Sequence, residues 1–296
     1  MPKQHRIDKK NIFQSSEDEE IKFVPTEEFR NQAYFTSHHQ YKKIYRFSFE
    51  DLEKFWSNTA KELHWFKPWN KIKQGKAFNS KWFTGAKTNI SYNCLDVHLH
   101  AQRRNKAALI WEGEDGETKI YTYQLLFTYV CNFANALKML DVKKRDNVVI
   151  YMGMVPEAVI AILACMRIGA VHSVVYNELS SIALSKRIKE LECKIVITQD
   201  YILRKGVFIP LKEKVDNAVE GNEDVKHVVV FNRSKENHYK MHPVRDKLWQ
   251  DVLTDAPIDC KAAELDSQHP AFSLFTNGPK GDPLKILHLT AGYMVQ

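Results

Sequence analysis

The stretch NVVIYMGMVPEAVIAILACMRIGAVHSVVY, residues 147–176, contains a complete strand–helix–strand unit. NVVIY is short, apolar and β-branched, which is typical of a strand that is buried on both faces. PEAVIAILACMRIG then has helical periodicity, with Pro156 in its first turn and Gly169 at its end, positions that these two residues favour. HSVVY resumes the β-branched pattern. Because parallel strands need a crossover connection, the stretch predicts a right-handed βαβ unit.

The same alternation continues on both sides of this unit. Strands are predicted for KAALIWEG, ETKIYTY, CKIVITQD and HVVVFN, and helices for YQLLFTYVCNFANALKML, SSIALSKRIKELE and LKEKVDNAVEG. The pattern predicts the α/β class, with a parallel βαβ sheet covered by helices on both faces. Ligands of such sheets bind beyond the carboxyl ends of the strands. The segments 152–157, 176–181, 199–207 and 275–281 are therefore predicted to surround a binding site.

The chain is predicted to contain three regions. Residues 1–24 are a polar tail, residues 25–100 a helical and aromatic-loop region, and residues 101–296 the α/β portion. Within the second region, Ser48 is predicted to cap the helix of SFEDLEKFWSNTAKELHWF, because acidic residues follow it in the first turn. The aromatic segment after this helix has no periodicity, so packing on a larger body is needed to order it.

The composition limits the kinds of ligand and partner that the protein is expected to bind. The net charge of +7 is spread along the chain, which favours anionic small molecules as ligands. Zinc-ligand spacing, an RNA-binding aromatic signature and a concentrated basic arm are missing from the sequence, so nucleic acid is not an expected partner. An apolar signal segment and an apolar run of about 20 residues are missing as well, and no membrane association is expected. Five widely spaced cysteines without CxxC spacing predict free thiols and a cytoplasmic protein.

Two polar segments are candidates for an anion site. The turn FTNGPKGDPLKI offers the hydroxyl of Thr276, the close backbone approach of Gly278 and Gly281, and Lys280 or Lys285 as the cation. Its glycines are too close together for a Walker A loop, and composition alone favours an ordinary turn of Gly, Pro, Asn and Asp.

The second candidate is the sequence Arg204–Lys205–Gly206, which follows a predicted buried strand. A cationic loop at that place can meet an anionic ligand, although the charges taken alone favour a solvated loop. His172 precedes an apolar run, and we interpret it as a structural histidine rather than a base.

Eight segments resemble, in order, the AMP-forming acetyl-CoA synthetases. They are ELHWFKPWNKI, KWFTGAKTNISYNCLDVHL, ALIWEGEDGET, VCNFANALK, IYMGMVPEAVIAILACMRIGAVHSVVY, KIVITQD, IPLKEKVDNAV and HLTAGY. The resemblance covers nearly the whole chain and implies the adenylate-forming, acyl-CoA synthetase-like fold. It also implies ATP/AMP and CoA as ligands. In the family, acetate attacks the α-phosphate of ATP with Mg²⁺ assistance, and the CoA thiol displaces AMP after a small C-terminal domain rotates.

The resemblance makes FTNGPKGDPLKI the counterpart of the family's phosphate loop, TSGSTGKPKG. The family residue is kept at Thr276, Gly278, Gly281 and Pro283, and it is replaced at Pro279, Lys280, Asp282 and Leu284. Asp282 stands where the family has a lysine, so that a carboxylate would repel pyrophosphate instead of attracting it. The resemblance thus implies a degenerate phosphate loop.

The segments that the resemblance assigns to CoA binding also lack residues that the family uses there. The family's turn FGGFS is here YNELS, which places Asn177 and Glu178 where glycines allow close approach. The family's CoA-phosphate segment corresponds to RKGV, in which Arg204 is kept and Val207 replaces a second arginine. Lys205 is the candidate substitute cation, and Glu178 is expected to repel the CoA phosphates.

The remaining family sites have no counterpart in the sequence. The adenine, ribose and acetate pockets, the Mg²⁺ ligands and the C-terminal domain with its catalytic lysine correspond to positions beyond residue 296. Catalytic and metal-ligating residues are therefore not predicted here. We expect a truncated homologue that does not make acetyl-CoA alone; the alternative is a non-catalytic module that binds a nucleotide, CoA or a protein. A companion chain or a homodimer is expected to cover the open C-terminal side.

Overall fold

The architecture comes from a computed structural model. It describes residues 23–76, 79–100, 102–234, 239–278 and 283–295. Two units make up the chain, residues 1–55 and residues 56–296. The boundary places residues 56–100 in the same unit as the α/β portion.

The helices of the first region are α1 (Glu27–Gln32), α2 (His38–Glu50) and α3 (Leu52–Ala60). The prediction that Ser48 caps a helix was wrong, because Ser48 lies inside α2 and donates its hydroxyl to the Tyr45 carbonyl at 2.7 Å. The chain leaves helical geometry at Asp51, whose carboxylate accepts the Lys54 N–H at 3.1 Å. A carboxylate at this position satisfies a backbone donor that the first turn of α3 leaves unpaired.

The aromatic segment contains short strands that its sequence did not predict. These elements are β1 (Lys71–Gln74), which pairs with β2 (Lys81–Thr84), then β3 (Lys87–Thr88), a π-helical turn (Tyr92–Asp96) and α4 (Val97–His100). Phe83 is buried and packs against the rings of Trp65 and Trp69 at centroid distances of 5.3 and 5.4 Å. Aromatic packing of this kind orders a segment that has no periodicity.

The α/β portion has the predicted alternation of strands and helices. Its elements are β4 (Ala107–Glu112), β5 (Thr118–Thr122), α5 (Tyr123–Met139), β6 (Asn147–Tyr151), α6 (Pro156–Ile168), β7 (Val171–Val174), α7 (Ser181–Glu190), β8 (Ile195–Gln199), β9 (Tyr201–Arg204), β10 (Val207–Pro210), α8 (Leu211–Val219), β11 (His227–Phe231), β12 (Asp246–Leu248), α9 (Trp249–Thr254), β13 (Leu265–Asp266), β14 (Pro270–Asn277), β15 (Pro283–Leu289) and α10 (Thr290–Val295). The main sheet has the order β12-β11-β8-β6-β7-β14-β15. Its pairs are parallel except for β14 with β15, so the predicted α/β class is confirmed.

Helices cover the centre of this sheet on both faces. Val148 and Ile150 of β6 face a core that includes residues of α5, α6 and α9, whereas Val149 and Tyr151 face a core with α7 and α8. All four side chains are fully buried. This two-sided burial is the reason why β6 is a continuous apolar run in the sequence.

Helix α6 is held by the features that its sequence predicts. Pro156 is its first residue, and Gly169 ends it in the left-handed region at φ 78°. Near this end, the buried Arg167 forms a bidentate pair with Asp96, with N–O distances of 2.8 and 2.9 Å. Its Nε also donates to the Cys260 carbonyl at 2.6 Å. A paired and hydrogen-bonded guanidinium can be buried at this depth, whereas an isolated one cannot.

None of the helices in the described ranges is long and apolar enough to cross a membrane. The five cysteines are free thiols, and four of them are buried, namely Cys131, Cys165, Cys193 and Cys260.

Candidate functional site

A cleft of about 330 Å³ lies at the carboxyl ends of β6 and β8. Three of the four predicted segments contribute to its lining, those around Gly153, Asn177 and Arg204. The turn between β4 and β5 also lines the cleft, as does Arg233 after β11, and sequence reasoning identified neither. The described residues of the fourth segment, 275–278, are not part of the lining.

The segment after β6 is fixed by contacts that leave no room for a side chain. The Gly153 N–H donates to Gln199 Oε1 at 2.8 Å. A Cβ atom on Gly153 would lie 2.6 Å from Cγ2 of Ile202, closer than non-bonded carbons approach. Next to it, Trp111 Nε1 donates to the Met154 carbonyl at 2.6 Å. This part of the cleft wall is therefore well packed.

The segment after β7 is held by hydrogen bonds to residues of β6, of the segment after β6 and of α8. The Tyr151 hydroxyl lies 2.8 Å from the Asn177 carbonyl and 2.9 Å from the Leu179 carbonyl. Burial raises the pKa of Tyr151 to about 12, so this hydroxyl keeps its proton near neutral pH. Asn177 Nδ2 donates to the Met152 carbonyl at 3.2 Å, and Lys214 Nζ donates to the Asn177 carbonyl at 3.3 Å. Asn177, where the resemblance expects a glycine, is thus an anchor of this loop.

The cationic segment RKGV is a β-hairpin turn, not the predicted loop. Lys205 at φ 50° and Gly206 at φ 75° are its two central residues. Two successive positive φ angles give the primed turn that suits the twist of a two-residue hairpin, and Gly206 adopts such an angle without steric cost. Of the four residues, Arg204 lines the cleft, whereas Lys205, Gly206 and Val207 are exposed outside the lining.

Both arginines of the cleft are paired with carboxylates. Arg204 forms an ion pair with Glu178 of the segment after β7. Arg233 forms an ion pair with Asp115 at 2.7 Å, and its guanidinium lies 5.4 Å from the centroid of the Trp111 ring. The hydrogen bond from the Glu117 N–H lowers the pKa of Asp115 below its ordinary value, and Arg233 lowers it further. Asp115 is thus ionised near neutral pH and neutralises Arg233.

Further hydrogen bonds hold the β4–β5 turn and the segment after β11 at the cleft. The Gly206 N–H donates to Glu114 Oε1 at 3.2 Å. The Asp200 carboxylate accepts the N–H groups of Arg233 and Ser234 at 3.2 and 3.0 Å, which fixes the segment that carries Arg233. An entering phosphate would therefore have to compete with carboxylates for the cations. Among the residues that the structure describes, no group of three or more His, Cys, Asp or Glu side chains could hold a metal ion.

The candidate phosphate turn lies at the end of the β14–β15 hairpin. Thr276 is exposed on β14 and pairs with Leu284, and Gly278 follows the end of the strand. The guanidinium of Arg187 on α7 lies 5.3 Å from the centroid of the Phe275 ring. Lys280 and Gly281, the other predicted site residues of this turn, lie outside the described residues.

His172 occupies a structural position, as its sequence context indicates. It is buried on β7, with its ring stacked at 5.4 Å on Phe272, which stacks in turn at 4.5 Å on His288. Burial lowers the pKa of His172 to about 4. Its buried Nδ1 has no hydrogen-bond partner among the described residues, so the ring is neutral and acts as part of an aromatic row.

Comparison with known proteins places this arrangement in a family. The sequence model of the AMP-binding enzymes matches residues 97–296, and that of the acetyl-coenzyme A synthetase N-terminus matches residues 41–94. The chain is 46% identical to acetyl-coenzyme A synthetase of Chlorobaculum tepidum over 277 residues, which are 94% of this chain and 42% of that protein. It is 44% identical to acetyl-coenzyme A synthetase 2 of Pseudomonas putida over 262 residues, covering 86% and 40%.

A solved structure gives the same result for the fold. Acetoacetyl-CoA synthetase from Streptomyces lividans superposes with a TM-score of 0.77 at 21% identity, covering 84% of this chain and 38% of that one. At this identity the likeness establishes the fold alone. The chain spans about two fifths of the length of the curated relatives it matches.

Proposed function

Because the chain belongs to the AMP-binding enzyme family and contains the acetyl-coenzyme A synthetase N-terminus, we propose that it is an AMP-forming acetate–CoA ligase homologue whose 296 residues do not form acetyl-CoA by themselves. Its relatives of similar sequence have the name acetyl-coenzyme A synthetase. The chain shares with them a stretch that covers about two fifths of their length.

The observation that carries the proposal is the ion pair of Glu178 with Arg204 at the cleft. Arg204 is the cation that the family resemblance assigns to CoA, and Glu178 stands where the resemblance expects a glycine. A carboxylate in contact with this guanidinium offsets its charge and repels an incoming phosphate. The pair thus supports the proposal that the cleft keeps its walls but no longer attracts the phosphates of CoA.

The turn FTNGPKGDPLKI supports the proposal from the sequence. Asp282 and Leu284 replace two lysines of the family's phosphate loop, and Pro279 has no N–H to donate. Preorganised donors and cations that stabilise developing charge often contribute more to catalysis than any other effect. A loop that has lost these groups is expected to lose most of the rate of acetate adenylation.

The test is an ATP–pyrophosphate exchange assay with acetate. The synthetase of C. tepidum serves as the positive control, and this chain without acetate gives the background. We expect exchange by the chain to equal that background. Acetate-dependent exchange clearly above it would contradict the proposal, because this partial reaction needs neither CoA nor release of product thioester.

A second function is supported by the intact walls of the cleft. Gly153, Asn177 and Trp111 keep them in place by hydrogen bonds of 2.6 to 3.2 Å. A non-catalytic module that binds a nucleotide, CoA or a protein needs such a scaffold and no catalytic group. Calorimetric titration with ATP, AMP and CoA tests this second function. Binding of one of them without exchange supports the module, whereas no binding to any of the three would contradict a nucleotide- or CoA-binding module.

The cytoplasm remains the proposed compartment. The four buried cysteines are free thiols, which suit a reducing environment. Fractionation of cells that produce the protein tests this proposal, and recovery in a membrane or extracellular fraction would contradict it.

A further inference from the structure

The segment between α9 and β13 is held against one side of α5 by three polar side chains. Asn132 and Asn135 donate from their amide groups to backbone carbonyls of this segment at 2.6 to 2.8 Å. Lys138, three residues further along α5, donates from Nζ to the thiol sulfur of Cys260 at 3.1 Å. Side chains three residues apart on a helix are neighbours on one face, so these three form a row that ends at a lysine–cysteine contact.

This contact distinguishes Cys260 from other buried thiols of the protein. The thiols of Cys131 and Cys193 donate to backbone carbonyls at 3.7 and 2.8 Å. Burial raises the pKa of Cys131 to about 11 and that of Cys193 to about 12. A thiol that stays protonated is a poor nucleophile. Cys260 has instead an amino group in contact with its sulfur, and this pair of nucleophilic groups has no part in the cleft chemistry described above.

The backbone of Cys260 is fixed, which keeps the sulfur beside the amino group. Its carbonyl accepts the Nε–H of the buried Arg167 at 2.6 Å and the Cys131 thiol at 3.7 Å. Arg167 is in turn fixed by its bidentate pair with Asp96. Two groups that are held within about 3.5 Å of each other react faster than free groups do, because their approach costs no further entropy.

The lysine–cysteine pair lies at the surface, although the thiol itself is covered. Cys260 is 3% exposed, whereas Lys138 and the two chain neighbours of Cys260, Asp259 and Lys261, are exposed. Exposed side chains change rotamer rapidly, so movement of the Lys138 side chain uncovers the sulfur. A small oxidant such as hydrogen peroxide can then reach it.

We propose that Cys260 and Lys138 form a site of reversible oxidation by hydrogen peroxide, in which the lysine amine captures the oxidised thiol in a sulfur–nitrogen bond. In the first step the sulfur attacks one peroxide oxygen and the O–O bond breaks. The thiol hydrogen leaves with the second oxygen as water, so that the sulfur is oxidised to a sulfenic acid and the peroxide is reduced. The inference is independent of the proposed function.

The second step consumes no further oxidant. Nζ of Lys138, after its ammonium proton has passed to solvent, attacks the sulfur of the sulfenic acid. The S–N bond forms, the S–O bond breaks, and the hydroxyl group leaves as water with one hydrogen of the amine. Sulfenic acids condense with backbone nitrogen in the same way, and an amine is a stronger nucleophile than an amide.

Capture by Lys138 makes the oxidation reversible. A thiol reductant attacks the sulfur, releases the lysine amine and leaves a mixed disulfide, which a second thiol reduces to the free Cys260. An uncaptured sulfenic acid reacts instead with more peroxide to a sulfinic acid, which thiols do not reduce. The bond also links the last turn of α5 covalently to the segment before β13.

The test is oxidation of the folded wild-type chain with hydrogen peroxide, followed by thiol blocking in denaturant, chymotrypsin digestion and mass spectrometry. Cys94 is the exposed thiol, and its oxidation in the same sample shows that the peroxide was active. We expect a joined pair of peptides that contain residues 138 and 260, lighter than the separate peptides by two hydrogen atoms. Dithiothreitol should restore the separate peptides.

Two variants separate capture by the amine from the effect of a nearby positive charge. Lys138→Arg keeps the charge but supplies a guanidinium that stays protonated. It is expected to abolish the joined peptides and to leave a sulfenic acid at Cys260 that dimedone labels. Lys189→Arg is the matched control, because Lys189 is likewise an exposed lysine in the last turn of a helix, α7. It is expected to leave the yield of joined peptides unchanged.

Three results would overturn the inference, and the first two need no variant. One is an unmodified Cys260 in a wild-type sample whose Cys94 is oxidised. Another is a disulfide between Cys131 and Cys260 in place of the sulfur–nitrogen bond. The third is a yield of joined peptides that Lys138→Arg does not reduce.

Discussion

Two arginine–carboxylate pairs in this molecule have the same chemistry and opposite consequences. Arg167 and Asp96 are paired in the interior, where 1% of the arginine side chain is exposed. Arg204 and Glu178 are paired at the cleft, with 46% and 37% of their side chains exposed. The first pair holds α6 to the π-helical turn that ends at Asp96, and it cannot be broken without leaving a buried charge. The second pair is solvated and contributes little to folding. In it, the Glu178 carboxylate occupies the Arg204 guanidinium, the group that an anionic ligand would need.

The largest expected effect is on the buried pair. Asp96→Ala leaves the guanidinium of Arg167 without its bidentate partner, and we expect the free energy of unfolding to fall by about 3–5 kcal/mol. Urea denaturation measures the change. The matched substitution at the cleft is Glu178→Ala, which is expected to cost about 1 kcal/mol or less because exposed pairs are screened by water. Equal losses in the two variants would contradict the distinction between the pairs.

A buried histidine in the protein interior also makes the stability of the fold depend on pH. The pKa of His172 is lowered to about 4 in the folded protein, while an unfolded histidine titrates near 6.5. Between these values the unfolded chain binds a proton that the folded chain does not, so stability falls as the pH falls from about 6.5 to about 4, by up to about 3 kcal/mol. This contribution is fully present above the unfolded pKa.

The measurement that isolates this contribution is urea denaturation of the wild-type chain and of His172→Phe across that pH range. Carboxylates titrate in both proteins, and their effect cancels in the difference. The stability of the wild type relative to the variant should decline on acidification. A difference that does not change with pH would rule out a buried neutral ring at this position.

The cleft wall gives an effect of intermediate size. Gly153→Ala places a methyl group 2.6 Å from Cγ2 of Ile202, and overpacking of this kind costs about 1–3 kcal/mol. Gly292→Ala is the matched control, since its methyl group meets nothing within 4 Å, and alanine is favoured over glycine within a helix. Thermal denaturation should show a lower midpoint for the first variant only. Similar midpoints for both would mean that the wall yields easily.

Sequence periodicity was sufficient to predict the scaffold of the cleft. The unit of residues 147–176 is correct from strand to strand, because two-sided burial leaves a continuous apolar pattern and because Pro156 and Gly169 act locally. Local sequence signals did not distinguish between two candidate N-caps that lie close together. Ser48 and Asp51 are three residues apart. Helix α2 continues through Ser48 and ends before Asp51, and the local pattern does not specify where that helix ends.

The charges of the cleft could be predicted only in part. Arg204 was a candidate from its position after a predicted strand, and Glu178 was singled out through the family resemblance. Their pairing involves a hairpin whose turn, at Lys205 and Gly206, the sequence suggested only as a loop. Arg233 was missed because its partners, Trp111 and Asp115, precede it by more than a hundred residues. Contacts at that separation are set by the order of strands in the sheet, not by spacing in the sequence.

The last prediction concerns Glu178→Gly, which is expected to change stability little and the affinity for CoA clearly. Glu178→Gly restores the residue that the family resemblance expects and removes the carboxylate from Arg204. Stability should change by about 1 kcal/mol or less. The affinity for CoA should rise by about fivefold or more, because a freed and partly exposed cation gains about 1 kcal/mol with a phosphate. Lys205→Gly, which removes an exposed cation outside the lining of the cleft, should leave the affinity within about twofold.

Calorimetric titration of CoA into the wild-type chain and into Glu178→Gly is the decisive experiment on the cleft. We expect weak or undetectable binding by the wild type and measurable binding by the variant. Tight binding of CoA by the wild type, with no gain on removal of Glu178, would contradict this expectation. Glu178 would then not compete with CoA for Arg204.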